Sequence, residues 1–115
     1  MNITLDAEKW EPPCLQKDGE PVTMGLVPIS FGEYTKPIGE VPKTAADITE
    51  DHKSTVMNHV ESVIGLSVKG NVITDGKTLV DSLPSWPSRL WLRFIKELFA
   101  ELNKRALPDA EQEKN

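Results

Sequence analysis

The residues best suited to chemistry are two histidines and one cysteine. His52 and His59 lie seven residues apart in a segment with helical periodicity, which places them on one helix face but about 10 Å from each other. That separation is too large for one metal ion, and no cysteine lies near either of them in sequence. We therefore expect two structural histidines at the edge of an apolar helix face. Cys14 is the only cysteine, so it cannot form an intrachain disulfide, and no base accompanies it in its proline-rich segment.

Other catalytic arrangements also lack the required spacing. Ser54, Ser62 and Ser67 have no nucleophile-elbow setting, and no glycine-rich loop of the phosphate-binding type occurs. Glu50 and Asp51 form a carboxylate pair, but acidic side chains are favoured in the first turn of a helix, which explains them without acid/base chemistry. We therefore expect a protein that is not an enzyme and that uses neither cofactor nor metal.

The net charge of the chain limits the kinds of partner. The 115 residues suit one domain and carry 13 basic and 18 acidic side chains, a net charge of −5. By count, residues 1–43 and 44–84 each carry −3, and residues 85–115 carry +1. No segment is basic enough for nucleic acid or for anionic lipid. We also expect no membrane span and no secretory signal, and hence a cytoplasmic protein.

A long amphipathic helix, predicted over about 86–106, organises the chain. Pro87 suits its first turn and Ser85 is a candidate N-cap. Its apolar stripe is about 200° wide, whereas a surface helix needs only about 100°. Either the helix lies deep in the core, or its second apolar flank contacts another chain. Trp86 has the alternative role of a hydrophobic staple. On the second interpretation, the partner-binding candidates are Leu92, Ile95 and Phe99 on the far flank, followed by Trp86 and Trp91.

Residues 1–43 predict an irregular arm. They hold six of the nine prolines and four of the seven glycines, so helices are disfavoured there. Asp18-Gly19 indicates a turn, and the alternation from Val22 to Leu26 predicts a strand. Pro28 either ends that strand or confines it to a sheet edge. Residues 29–34 are a candidate for a second extended piece.

Residues 44–107 predict a helical domain with a hairpin. A helix over about 50–64 is capped by Thr49 and stopped by Gly65. A hairpin follows over about 66–73 with Gly70-Asn71 at its turn, and then a short helix over about 76–83 capped by Thr74 or Asp75. Residues 108–115 form a polar tail that we expect to be disordered. The predicted fold class is α+β and predominantly helical.

The second half of the chain resembles the tail assembly chaperones of long-tailed, siphovirus-type bacteriophages. The resemblance runs from Val60 to Leu102. Its order is VESVIGL, a short hairpin leading into VITDGK, the segment LVDSLP, and an amphipathic helix that begins at Trp86.

The resemblance implies a non-enzymatic role in the host cytoplasm. Such proteins coat the long hydrophobic tape measure protein, recruit tail tube subunits, and are absent from the mature virion. We also expect a homo-oligomer, a head-to-tail ring or spiral in which the Pro/Gly-rich arm hooks a neighbouring subunit. The alternative is a structural tail or head-completion protein that is retained in the particle.

Overall fold

Within the part of the chain that it describes, the computed structural model has a three-stranded antiparallel sheet and three α-helices that share one hydrophobic core. The structure describes residues 6–16, 21–30 and 42–106. The predicted fold class, α+β and predominantly helical, is confirmed. The elements in chain order are β1 Glu8–Trp10, β2 Thr23–Leu26, α1 Glu50–His59, β3 Val60–Ile64, β4 Ser67–Val68, β5 Asn71–Val72, α2 Gly76–Asp81 and α3 Ser88–Ala106.

The described parts of the N-terminal arm belong to the core. The sheet order is β1-β2-β3, so the predicted strand at Val22 to Leu26 is central rather than at an edge, and it ends before Pro28. Met24 pairs with Val63 of β3, and both side chains are buried. The predicted Asp18-Gly19 turn lies outside the described residues, as does most of the proposed extended piece at 29–34.

The helix predicted over 50–64 ends at His59, and the prediction is wrong for its last five residues. Val60–Ile64 forms β3 and pairs with β2. Three of these five residues are β-branched, which favours an extended backbone once a partner strand is present. Gly65 therefore ends a strand instead of a helix. It has φ of 87°, and a Cβ there would overlap the carbonyl oxygen of Pro21.

The two histidines of α1 are buried, which corrects the expectation that they lie at the edge of the apolar face. The inward face of α1 consists of His52, Val56 and His59, at positions i, i+4 and i+7. His52 completes a capping box with Thr49, the predicted N-cap. Nδ1 of His59 lies 2.9 Å from the carbonyl oxygen of Val27, and this contact connects the end of α1 to the end of β2.

The hairpin and the two later helices follow the predicted order. Ser67 pairs with Val72 in the hairpin, but the turn residues with positive φ are Lys69 and Gly70, not Gly70-Asn71. Asp75 caps α2. The helix α3 starts at Ser88, because the carbonyl of Pro87 accepts its first hydrogen bonds. Ser85 lies in the preceding 3₁₀ turn, Leu83–Ser85, and is not the N-cap.

Candidate functional site

The wide apolar stripe of α3 lies mainly in the core. Trp91, Ile95 and Phe99 are at most 1% exposed, and Trp86 is 9% exposed. Leu92 is half-buried. Partner binding by these five residues stays a prediction. In this conformation, however, only Leu92 and the edge of Trp86 offer a partner any surface.

Trp86 is held rigidly where the chain enters α3. Its ring packs edge-on against Trp91, with centroids 5.2 Å apart and an interplanar angle of 83°. Its Nε1–H donates a 2.8 Å hydrogen bond to Oγ of Ser82. The Ser82 hydroxyl in turn donates to the carbonyl oxygen of Leu79, at the end of α2. These contacts fix the indole in one orientation, as a wall between two clefts.

The larger cleft has a volume of about 420 Å³ and is mostly apolar. It lies between the N-terminal segment, the β4–β5 hairpin and the start of α3. Three parts of the chain that are distant in sequence therefore build it together. Its apolar lining residues are Leu15, Val22, Leu66, Val68, Trp86, Pro87 and Leu90, and its rim includes Ser67, Lys69 and Ser85.

Sequence reasoning found only Trp86 among these lining residues. Leu90 lies at one border of the apolar stripe of α3, and that position is a signal that could have identified it. Leu66 and Val68 belong to a two-stranded hairpin, which is marginal in water without a packing partner. That argument predicts some contact for the hairpin, but it does not predict that the contact leaves an open cleft.

A second cleft of about 290 Å³ lies on another side of Trp86. Ile48, Lys53 and Leu83 line it together with Trp91. Nε1 of Trp91 is buried and has no hydrogen-bond partner within the described ranges. A buried donor without a partner carries an uncompensated desolvation cost of roughly 1–3 kcal/mol, so this N–H does not stabilise the core.

The perturbed titratable groups have structural causes. Burial, with a smaller contribution from the neighbouring carboxylate of Glu97, raises the pKa of the Cys14 thiol to about 12. A thiol held protonated in this way is a poor nucleophile. The backbone N–H of Thr78 holds the pKa of Asp75 below its ordinary value, because Asp75 caps α2.

Within residues 6–16, 21–30 and 42–106, no group of three His, Cys, Asp or Glu side chains is placed to hold a metal ion. No helix in the same ranges is both long enough and apolar enough to cross a membrane. Comparison of the chain with protein-family models, with curated proteins and with solved structures finds no match.

Proposed function

We propose that this protein is a non-enzymatic tail assembly chaperone of a long-tailed bacteriophage. It binds the tape measure protein in the host cytoplasm, helps to recruit tail tube subunits, associates with further copies of itself, and is absent from the mature virion. The observation that carries the proposal is the apolar cleft beside Trp86, since a chaperone of a hydrophobic helical protein needs accessible apolar surface.

The shape and lining of the cleft suit the apolar edge of a helix. A volume of about 420 Å³ lies within the range of about 300–1,000 Å³ typical of ligand pockets, and it accommodates a few aliphatic side chains. The rigid Trp86 wall reduces the ordering that binding requires. The order of hairpin, capped short helix, proline and long helix, on which the resemblance rests, further supports the proposal.

Two valines of the hairpin provide a matched test. Val68 lines the cleft, whereas Val72 is 67% exposed and does not line it. On co-expression with the tape measure protein, the wild type and Val72→Asp should keep that protein in the soluble fraction. Val68→Asp should reduce the soluble fraction at least about tenfold, because it introduces a charge into an apolar contact.

Circular dichroism of both variants controls for folding. Equal solubilisation by the two folded aspartate variants would contradict binding in the cleft. Mass spectrometry of purified particles tests the remaining part of the proposal. Stoichiometric amounts of this protein in the particle would contradict a chaperone and would instead favour the structural virion protein.

A further inference from the structure

The helix α3 has a charge opposite to that of the rest of the chain. Its 19 residues, 88–106, hold five basic and two acidic side chains, a net charge of +3. Because the whole chain carries −5, the other 96 residues carry −8. An asymmetry of this size favours association between oppositely charged surfaces.

The basic residues of α3 form one exposed strip, here called the basic face. Four of the cations are exposed, and together with exposed Ala100 they lie within about 100° around the helix and span about 22 Å along it. Ala100 lies near the middle of the strip, where its small side chain permits close approach. The basic face consists of Arg89, Arg93, Lys96 and Lys104.

The acidic residues of α3 do not neutralise this face, because they are half-buried and already engaged. An oxygen of Glu97 accepts a 3.0 Å hydrogen bond from the backbone N–H of Cys14, and its carboxylate lies 4.0 Å from Arg93. Glu101 forms a 2.9 Å ion pair with Arg105. Arg89, Lys96 and Lys104 have no ion-pair partner in the part of the chain that the structure describes.

Helix stability does not explain the arrangement. Arg89 lies in the first turn of α3, where the helix dipole disfavours a cation, and that turn contains no acidic residue. Arg89 and Arg93 are also four residues apart, so their like charges repel across one turn. Each effect costs a few tenths of a kcal/mol. Arg89 and Arg93 are therefore placed against the preference of their own helix, whereas Lys104 lies in the last turn, where the dipole favours a cation.

An acidic corner lies at the start of α1. Asp47, Glu50 and Asp51 are three exposed carboxylates within five residues, and only Glu50 has an ion-pair partner, Lys53, among the residues described. The turn Ala45–Asp47 packs against α3, so one molecule carries this corner close to the helix that bears the basic face. Two patches of opposite charge on one molecule can each meet the other patch of a second copy about a two-fold axis.

We propose that a second copy of this chain docks on α3, with each basic face against the acidic corner of the other copy. This inference rests on the self-association included in the proposed function and names its surface. A nucleic acid is the less favoured occupant, because the net charge of −5 repels a polyanion.

The size of the surface sets the expected strength of the pair. A strip about 22 Å long and 10 Å wide covers roughly 220 Å² per copy. Even with the acidic corner added, the contact remains below the roughly 800 Å² per partner of a standard interface. We therefore expect a dissociation constant on the order of 100 μM.

The test is sedimentation equilibrium of the full chain from about 10 μM to 1 mM. The mass should rise from that of one copy toward that of two, and association should weaken about tenfold between 0.05 and 0.5 M NaCl. Arg89→Glu/Arg93→Glu should abolish the pair. The matched control, Lys9→Glu/Lys77→Glu, makes the same change in net charge at exposed sites elsewhere and should leave the pair intact.

Charge exchange makes the test specific to these two patches. Asp47→Lys/Asp51→Lys should also fail to pair with itself, yet an equal mixture with Arg89→Glu/Arg93→Glu should form the mixed pair. A wild type that stays monomeric, a mixture that does not pair, or a duplex oligonucleotide that binds the basic face more tightly than a second copy does would each overturn the inference.

The same proteins separate this inference from the proposed function. A wild type that pairs but does not solubilise the tape measure protein contradicts the proposed function alone. A wild type that solubilises that protein but does not pair contradicts the inference alone.

Discussion

The surroundings of Cys14 in the fold determine the protonation state of its thiol. It is half-buried beside the carboxylate of Glu97, which accepts the hydrogen bond of its backbone N–H. Burial, aided by that carboxylate, raises the pKa of the thiol from 9.0 to about 12. The folded protein therefore keeps the thiol protonated at a pH where the unfolded chain has begun to ionise it.

We predict that iodoacetamide alkylates Cys14 at pH 8 at least about tenfold more slowly in the folded protein than in urea. Glu97→Gln should accelerate the reaction of the folded protein, because it removes a charge that favours the neutral thiol. The folded form binds the proton more tightly, so this thiol lowers stability only as pH rises from about 9 toward 12. Equal alkylation rates in the folded and unfolded forms would contradict the prediction.

The histidines of α1 mark a limit of sequence reasoning at the same scale. The inward positions His52, Val56 and His59 have helical spacing, but two of the three are polar residues. Apolar periodicity alone therefore predicts that His52 and His59 lie at the edge of the helix face. Nδ1 of His52 lies 2.9 Å from the backbone nitrogen of Thr49, and His59 reaches Val27 across 32 residues. Only the fold reveals the second partner.

At the scale of elements, the long helix and the capped short helix followed from sequence, because their caps, prolines and apolar stripes are local signals. The strand Val60–Ile64 did not follow, since VESVI fits a helix and a strand equally well. Its conformation depends on pairing with Thr23–Leu26, almost 40 residues earlier in the chain. The cleft beside Trp86 also depends on contacts between residues that are far apart in sequence, so local sequence patterns do not predict it.

Phe99 and Leu92 lie on the far flank of α3, and we predict that they contribute differently to stability. Phe99 is 1% exposed, and the centroid of its ring lies 5.5 Å from that of the His52 ring, whereas Leu92 is half-buried. Phe99→Ala should lower the free energy of unfolding by about 3–5 kcal/mol through lost burial and a residual cavity. Leu92→Ala should cost less than about 2 kcal/mol, since part of its surface already meets water.

Urea denaturation monitored by circular dichroism measures both changes. A Phe99→Ala variant as stable as the wild type would place that ring outside the core and would restore the far flank as an available partner surface. A larger loss for Leu92→Ala than for Phe99→Ala would likewise contradict the burial pattern.

At the scale of the whole molecule, the described surface separates two kinds of contact. The apolar cleft is built by the hairpin, an N-terminal segment and the entry to α3, whereas the charged patches lie along the exposed side of α3 and the start of α1. In the two proposals the apolar partner and the second copy contact different residues, and these surfaces adjoin where Leu90 of the cleft follows Arg89 of the basic face. The acidic excess over the remainder of the chain favours solubility of the assembled state.

Arg105 joins the last turn of α3 to the first strand of the sheet. Its Nη1 lies 3.0 Å from the carboxylate of Glu8, and its Nη2–H donates to the carbonyl oxygen of Lys9. The Nε–H donates to Glu101 in its own helix. Because β1 is an edge strand, this side chain satisfies a backbone oxygen that would otherwise be available to another chain.

Arg105→Ala should therefore lower the free energy of unfolding by about 1–2 kcal/mol, since it removes several charge-assisted hydrogen bonds from a side chain that is 21% exposed. It should also accelerate amide hydrogen exchange in β1 while leaving α2 unchanged. The matched control is Arg93→Ala, whose ion pair is 4.0 Å long on a side chain that is 68% exposed. It should change stability by less than about 0.5 kcal/mol. Uniform acceleration of exchange throughout the protein would instead mean that Arg105 supports the global fold and has no special role at the sheet edge.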